Sequence, residues 1–127
     1  MLALAGCGDD AETTPSPEPE ADPVVLVSGP AGGGDSATES TDVTGEDALA
    51  SYLEQFEQSL AAKVSVAAAK VDVGDGERLV AQVVSVGCDV PPGATVRGDE
   101  IVPDKVDSPL KECFAPVTTV ALAAVPG

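Results

Sequence analysis

Side chains able to take part in covalent chemistry are few in this chain, and their types limit that chemistry. The sequence contains three cysteines and no histidine, so the commonest general base and metal ligand is missing. Ser108 stands three residues before Lys111, a spacing that lets a lysine lie on the proton path of a serine nucleophile. Four carboxylates precede this pair and could act as acid and base: Asp99, Glu100, Asp104 and Asp107. The candidate reaction is therefore a hydrolysis.

The segment from Ser108 to Lys111 resembles the S-x-x-K motif of serine β-lactamases and penicillin-binding proteins. The two motifs that accompany it in those enzymes, S-D-N and K-T-G, are missing from the sequence. A short helix that begins at Ser108, has Pro109 in its first turn and runs to Cys113 explains the same residues without catalysis. Basic residues lie among the carboxylates and favour solvated ion pairs there. We therefore predict no catalytic residue and keep a hydrolase as the alternative.

Two other stretches resemble ligand-binding loops, and each lacks a required residue. The sequence GPAGGGDS at 29–36 resembles a phosphate-binding loop, but Asp35 stands where that motif needs a lysine. Asp72, Asp75 and Glu77 lie close together as in a calcium loop, but two of the alternate ligand positions are glycine, which favours a turn. We predict no cofactor and no metal site.

The start of the chain carries the most specific motif. Leu4-Ala5-Gly6-Cys7 resembles the lipobox of bacterial lipoproteins at every position. The resemblance implies cleavage before Cys7 and diacylglycerol on its sulfur, so residues 1–6 are the remnant of a signal peptide. Only six residues, none basic, precede Cys7, and we therefore expect the true start codon upstream of Met1. Two acyl chains anchor a protein stably, which places this one on the extracytoplasmic face of the cell membrane.

The charge of the chain is divided unevenly between its halves. Residues 1–62 hold 13 acidic and no basic side chains, whereas residues 63–127 hold 9 acidic and 6 basic ones. The net charge of −16 argues against nucleic acid as a partner. Residues 7–43 are rich in Pro, Gly and uncompensated carboxylates, so we predict a disordered acidic tether. Its apolar island, Val24 to Val27, is predicted to be an edge strand or a short docking segment.

Beyond the tether, the apolar spacing first has the period of a helix. Thr44 stands three residues before Asp47 and is a candidate N-cap. One apolar stripe follows and predicts a helix from about 45 to 62: Leu49, Leu53, Phe56 and Leu60, with Tyr52 beside them. Tyr52 and Phe56 could contact a ligand, but a place in the helix core is favoured.

The period then changes to alternation, which predicts strands. We expect a β-hairpin with strands at about 64–73 and 79–86 around a turn at 74–76, and a last strand at 117–125. These strands are apolar on both faces. The sheet should therefore be covered by the helix on one side and by a loop or a partner on the other.

Two cysteines remain if Cys7 carries lipid as the resemblance implies. In an exported protein the pair Cys88 and Cys113 indicates a disulfide, and closing a loop of about 26 residues contributes roughly 3–4 kcal/mol. A redox or metal pair is the less favoured alternative, since neither a C-x-x-C spacing nor a histidine is present. Within the loop, Arg97-Gly98-Asp99 matches an adhesion tripeptide and is interpreted as a turn.

Together these patterns predict an α+β domain at 44–127, in which one N-terminal amphipathic helix packs on a small, mostly antiparallel sheet with a disulfide-closed loop. A composition without asparagine and with a single isoleucine is typical of GC-rich, actinobacterial-type genomes. We predict an exported lipoprotein anchored to the membrane by its N-terminal lipid, with a non-catalytic binding or structural role at the cell surface. The alternatives are a small extracytoplasmic hydrolase or an accessory subunit that binds a cell-envelope protein.

Overall fold

The computed structural model describes residues 24–106 and 113–127, which contain two helices and six strands. The elements in chain order are β1 (Val24–Pro30), β2 (Thr41–Asp42), α1 (Glu46–Leu53), α2 (Gln58–Lys70), β3 (Glu77–Gly87), β4 (Ala94–Arg97), β5 (Glu100–Pro103) and β6 (Val117–Pro126). Four strands form an antiparallel sheet in the order β1-β6-β3-β2, and β4 pairs with β5 in a second sheet. The predicted combination of helix with a mostly antiparallel sheet is confirmed.

Strand β6 lies in the middle of the sheet, between β1 and β3. Its sequence is apolar almost throughout, and nearly all of its residues are buried, as expected for a strand covered on both faces. It pairs with β3 from Glu77 to Gly87, with a register shift between Val83 and Ser85. The strands predicted at 79–86 and 117–125 are confirmed, each slightly longer than expected.

Both faces of this sheet are covered by the chain itself. The helices pack on one face over a cluster formed mainly by Val43, Phe56, Leu60, Val64, Ala68, Leu79, Val83, Val120 and Leu122. The β4–β5 hairpin covers the other face over a smaller cluster of Val80, Ile101, Ala121, Ala123 and Val125. A covered second face was predicted, and the part of the chain that covers it is the loop between the two cysteines.

The predicted helix at 45–62 is wrong in its extent, because the chain forms two helices with a break at 54–57. The break is held by a neighbouring loop: Glu57 N–H donates to Gly32 O at 2.7 Å, and Phe56 forms a bridge with Gly33. Glu57 then caps α2, since its carboxylate accepts a hydrogen bond from Ser59 N–H at 3.0 Å. A contact with a distant loop therefore overrides the apolar stripe that runs through the break.

The hairpin strand predicted at 64–73 is also wrong, because most of this segment belongs to α2. Leu60, Val64 and Ala68 are the buried residues of α2, and their spacing of four is that of a helix. In a strand, Val64 and Val66 would point to the same face, and the sequence suggested this alternation. In the structure Val64 is buried and Val66 is 57% exposed, so the two side chains do not share a face. The alanines of this segment have the highest helix propensity of any residue, which agrees with the observed state. The turn at 74–76 thus joins a helix to a strand.

The folded part begins earlier than predicted, so the assignment of 24–43 to the tether is corrected. Residues Val24–Pro30 pair with β6 over their whole length, and Thr41 and Asp42 pair with β3. Val43 is 1% exposed in the core. The edge-strand prediction for Val24 to Val27 is confirmed. Composition could not indicate the rest of β1, because this strand is stabilised by pairing with residues 87 to 99 positions away in the sequence. Residues 1–23 lie outside the described range.

Thr44 does not cap α1 as predicted. Its hydroxyl instead accepts a hydrogen bond from Leu79 N–H at 2.9 Å, while Gly45 occupies the N-cap position with a φ of 91°. Asp42 accepts a hydrogen bond from Thr44 N–H at 2.9 Å, and this bond holds the pKa of the Asp42 carboxyl below its ordinary value. Thr44 thus fastens the segment before α1 to the sheet.

The loop between the cysteines is closed by a disulfide from Cys88 to Cys113, whose Cα atoms are 5.4 Å apart. The Arg97-Gly98-Asp99 tripeptide lies at the turn between β4 and β5, where Gly98 adopts a φ of 63°. Buried Gln82 fastens this hairpin to the sheet: its side chain accepts from Ile101 N–H at 2.7 Å and donates to Ile101 O at 3.0 Å. The predicted disulfide and turn are confirmed.

Removing the disulfide should weaken the whole domain. In the double variant Cys88→Ser/Cys113→Ser we expect the free energy of unfolding to fall by about 3–4 kcal/mol, because the unfolded chain is no longer constrained by a loop of this length. Urea denaturation followed by circular dichroism measures the change. Reductant should shift the original protein to the curve of the variant and leave the variant unchanged. If the original protein and the double variant gave the same urea denaturation curve without reductant, the disulfide would not stabilise the domain.

Gly33 and Gly76 form a matched pair that tests the contact at the helix break. Both have left-handed backbones, with φ of 82° and 79°. A Cβ at Gly33 would lie 2.9 Å from Gln55 O, whereas a Cβ at Gly76 meets nothing within 4 Å. We expect Gly76→Ala to lose about 1–2 kcal/mol of stability from the backbone alone and Gly33→Ala to lose more. Equal losses in urea denaturation would show that the loop is not held against residues 55–57.

Candidate functional site

The candidates for chemistry are not brought together in the described parts of the chain. Cys7, Asp107, Ser108 and Lys111 lie outside those parts, as does most of the short helix predicted from Ser108 to Cys113. Asp99 is 84% exposed at its side chain and lies 3.7 Å from the guanidinium of Arg78. Glu100 and Asp104 are also exposed. Asp99 and Glu100 belong to the β4–β5 hairpin and Asp104 follows it. Ion pairs at such exposed positions contribute little to stability.

The two aromatic residues of the apolar stripe belong to the core. Phe56 is buried, and Tyr52 packs edge-on against it with ring centroids 5.5 Å apart. Burial raises the pKa of Tyr52 to about 12, because the neutral phenol is favoured where water is excluded. The favoured interpretation of both residues, a place in the helix core, agrees with these contacts.

The two loops that resemble ligand-binding motifs have structural roles. Gly33 O, in the glycine-rich loop, accepts a hydrogen bond from the Thr118 hydroxyl at 2.8 Å and so joins this loop to β6. Glu77 accepts a hydrogen bond from Gly74 N–H at 2.8 Å and shapes the turn before β3. Within 24–106 and 113–127, no three side chains of metal-binding type come together.

A groove of about 750 Å³ lies between β1 and α2. One wall is formed by the residues from Val25 to Ser28, and the other by Ala62, Lys63, Val66, Ala67 and Lys70. Apart from the two ammonium groups and the Ser28 hydroxyl, the side chains on both walls are apolar. A concave apolar surface with a few placed polar groups is the usual form of a binding site.

The helix wall has a definite pattern along its axis. Lys63, Val66 and Lys70 follow one another at i, i+3 and i+7, so they share one face of α2. At a rise of 1.5 Å per residue, the backbone positions of the two lysines are about 10.5 Å apart. The helix therefore presents an exposed apolar side chain between two positive charges.

The strand wall has a free backbone edge. β1 is the outermost strand of its sheet, and Lys63 Nζ donates to Ser28 O at 3.4 Å, so this carbonyl points away from β6 and into the groove. On the other side, Ala31 N–H donates to Pro116 O at 2.8 Å and so points inward. Residues alternate in an antiparallel ladder, which places the N–H and C=O groups of Val24 and Leu26 on the free edge with those of Ser28.

Sequence reasoning missed Lys63, Val66 and Lys70 as a site because it placed them in and beside a predicted hairpin strand. The usable signal was the i, i+3, i+7 spacing of two lysines around an apolar residue in an otherwise acidic chain. The free edge of β1 could not be deduced in the same way, because it depends on a distant partner strand.

The groove should bind a small amphiphilic anion. We expect the fluorescence of 1-anilinonaphthalene-8-sulfonate to rise on addition of the protein, since its rings fit an apolar wall and its sulfonate can meet a lysine. Val66→Asp should reduce the enhancement several-fold. Val73→Asp is the matched control, because Val73 is 39% exposed and lies outside the groove. An equal response of both variants would place the probe elsewhere.

Comparison with known proteins adds no assignment to this geometry. No protein-family model matches the chain, and no curated protein and no solved structure is similar to it. Neither helix of the described residues is long and apolar enough to cross a membrane. The proposal below therefore depends on the groove and on the residues of the sequence.

Proposed function

We propose that this protein is an exported, lipid-anchored module that binds a partner in the groove between β1 and α2 and has no catalytic role. The observation that carries the proposal is the groove itself, an apolar channel of about 750 Å³ with a free strand edge on one side. Such an edge is a template for pairing with another chain, and proteins usually cover or blunt it. An open edge beside an apolar channel is suited to binding.

Two observations support export and anchoring. The residues Leu4-Ala5-Gly6-Cys7 resemble a lipobox at every position. The disulfide between Cys88 and Cys113 is consistent with an oxidising compartment outside the cytoplasm, where such bonds form and persist. Together they favour a lipid on Cys7 and a folded domain on the outer side of the membrane.

The chain length between the anchor and the fold sets how far the groove can lie from the membrane. Only 16 residues lie between Cys7 and Val24, the first residue of β1. Even fully extended, such a segment spans at most about 60 Å. Because β1 forms one wall of the groove, the proposed binding site begins within this short chain distance of the anchor. A partner in or near the membrane is therefore within reach.

Binding is preferred over hydrolysis for a chemical reason. The walls of the groove carry ammonium groups and apolar side chains, which can position a ligand. The described carboxylates considered for the alternative hydrolase, Asp99, Glu100 and Asp104, are exposed and do not line the groove. The second alternative, an accessory subunit of a cell-envelope complex, is a particular case of binding. The free edge of β1 favours it, and the sheet face first expected to receive the partner is already covered by β4 and β5.

The anchoring part of the proposal predicts the location of a Cys7 variant. When the gene is expressed with its natural upstream sequence, the protein should sediment with membranes, and its mass should exceed that of the mature chain by a diacylglyceryl group. Cys7→Ala should lose this mass and no longer sediment with membranes, because the other two cysteines form a disulfide and neither follows a lipobox-like segment. Thr14→Ser is the matched control and should behave as the original protein. Membrane sedimentation of Cys7→Ala without lipid would contradict anchoring through this residue.

A further inference from the structure

The inference below depends on the proposed function and names the class of partner. We propose that the groove binds an extended segment of another protein, which adds to the free edge of β1 as a further strand and carries an apolar side chain between two carboxylates.

The backbone of β1 offers the hydrogen bonds that an added strand needs. The N–H and C=O groups of Val24, Leu26 and Ser28 point away from β6, and a segment of about five residues could pair with them once Lys63 Nζ, which donates to Ser28 O, turns to a carboxylate of that segment. Pro30 lies on the same edge and has no N–H, which ends the pairing surface at that residue. Main-chain pairing of this kind gives affinity for any extended peptide, and the side chains must supply the selection.

The side chains of α2 supply that selection. In an extended segment, residues i, i+2 and i+4 point to one face, and the outer two lie about 13 Å apart. Lys63 and Lys70 are about 10.5 Å apart along the helix and have flexible stems, so they can meet carboxylates at i and i+4. Val66 lies between them and would contact the residue at i+2. The geometry therefore selects the pattern acidic-x-apolar-x-acidic.

The charge distribution favours such a partner over the two occupants that this chain could itself provide. Residues 8–23 hold six carboxylates but no apolar side chain larger than proline, so they could pair with the lysines and leave the apolar walls uncovered. A second copy paired edge to edge would bring four ammonium groups to one shared groove, between chains that each carry −16. A partner segment with both carboxylates and an apolar residue avoids both difficulties.

The test is selection from a random peptide library displayed on phage against the full chain, with the Lys63→Glu/Lys70→Glu variant alongside. The original protein should enrich sequences of the type acidic-x-apolar-x-acidic, and the variant should enrich lysine or arginine at the same two positions. A synthetic peptide selected by the original protein should bind the variant about tenfold more weakly, because two partly exposed ion pairs are lost. Val73→Asp is the control and should select as the original protein does.

A second measurement tests strand addition independently of sequence. A series of peptides is made, each carrying one methyl group on a backbone nitrogen of the selected sequence. Methylation at every second residue should abolish binding, and methylation at the residues between should have little effect, because only alternate N–H groups face β1. At the same time, the amide protons of Leu26 and Ser28 should become protected from exchange. Loss of binding without this alternation would overturn strand addition.

The outcomes separate this inference from the proposed function. If Val66→Asp weakens the binding of the selected peptides but the peptides show no preference for acidic residues, the proposed partner class is overturned and the groove remains a binding site. Peptides whose binding is unaffected by Val66→Asp would overturn both. If the original protein enriches no sequence, the inference is overturned. It is also overturned if sedimentation shows a dimer of this protein that is lost in Val66→Asp, because a second copy would then occupy the groove. Membrane anchoring through Cys7 is tested separately and is unaffected by these results.

Discussion

The pairing of β6 with two strands at once is the interaction on which the rest of the structure depends. β1 and β3 lie far apart in the sequence and are joined in the sheet through β6, which is covered on both faces. Because both faces of β6 must be covered, the helices pack on one side and the β4–β5 hairpin on the other. The disulfide closes the loop that carries this hairpin, and so it supports the thinner of the two clusters.

The same pairing determines where the molecule is open. Sheet order places β1 at an edge, and α2 packs against β1 in a way that leaves an open groove along one side of their contact. A strand that is needed to complete the sheet therefore also provides an unpaired row of backbone groups. Apart from the Ser28 hydroxyl, the side chains next to that row are apolar or positively charged, although the chain as a whole is strongly acidic. This contrast is the physical basis for expecting an extended partner that contains carboxylates.

How much of the fold could be predicted depended on whether the determining contacts are local. The strands at 79–86 and 117–125 were predicted because their long apolar runs need no knowledge of the partner. The disulfide followed from counting cysteines after a lipid was assigned to Cys7. The break in the helix could not be predicted, because it depends on Glu57 N–H bonding to Gly32. The groove was missed for the same reason, since it requires α2 and the β1–β6 pairing to be known together.

Residue-resolved amide exchange in the free protein tests the central claim, that β1 is folded into the sheet and keeps a free edge. The account predicts an alternation along β1: the N–H groups of Val25 and Val27 are protected by β6, while those of Leu26 and Ser28 exchange rapidly. Rapid exchange at all four residues would contradict the pairing of β1 with β6. Equal protection at all four would show that the edge is already covered, and the proposed binding site would then be closed.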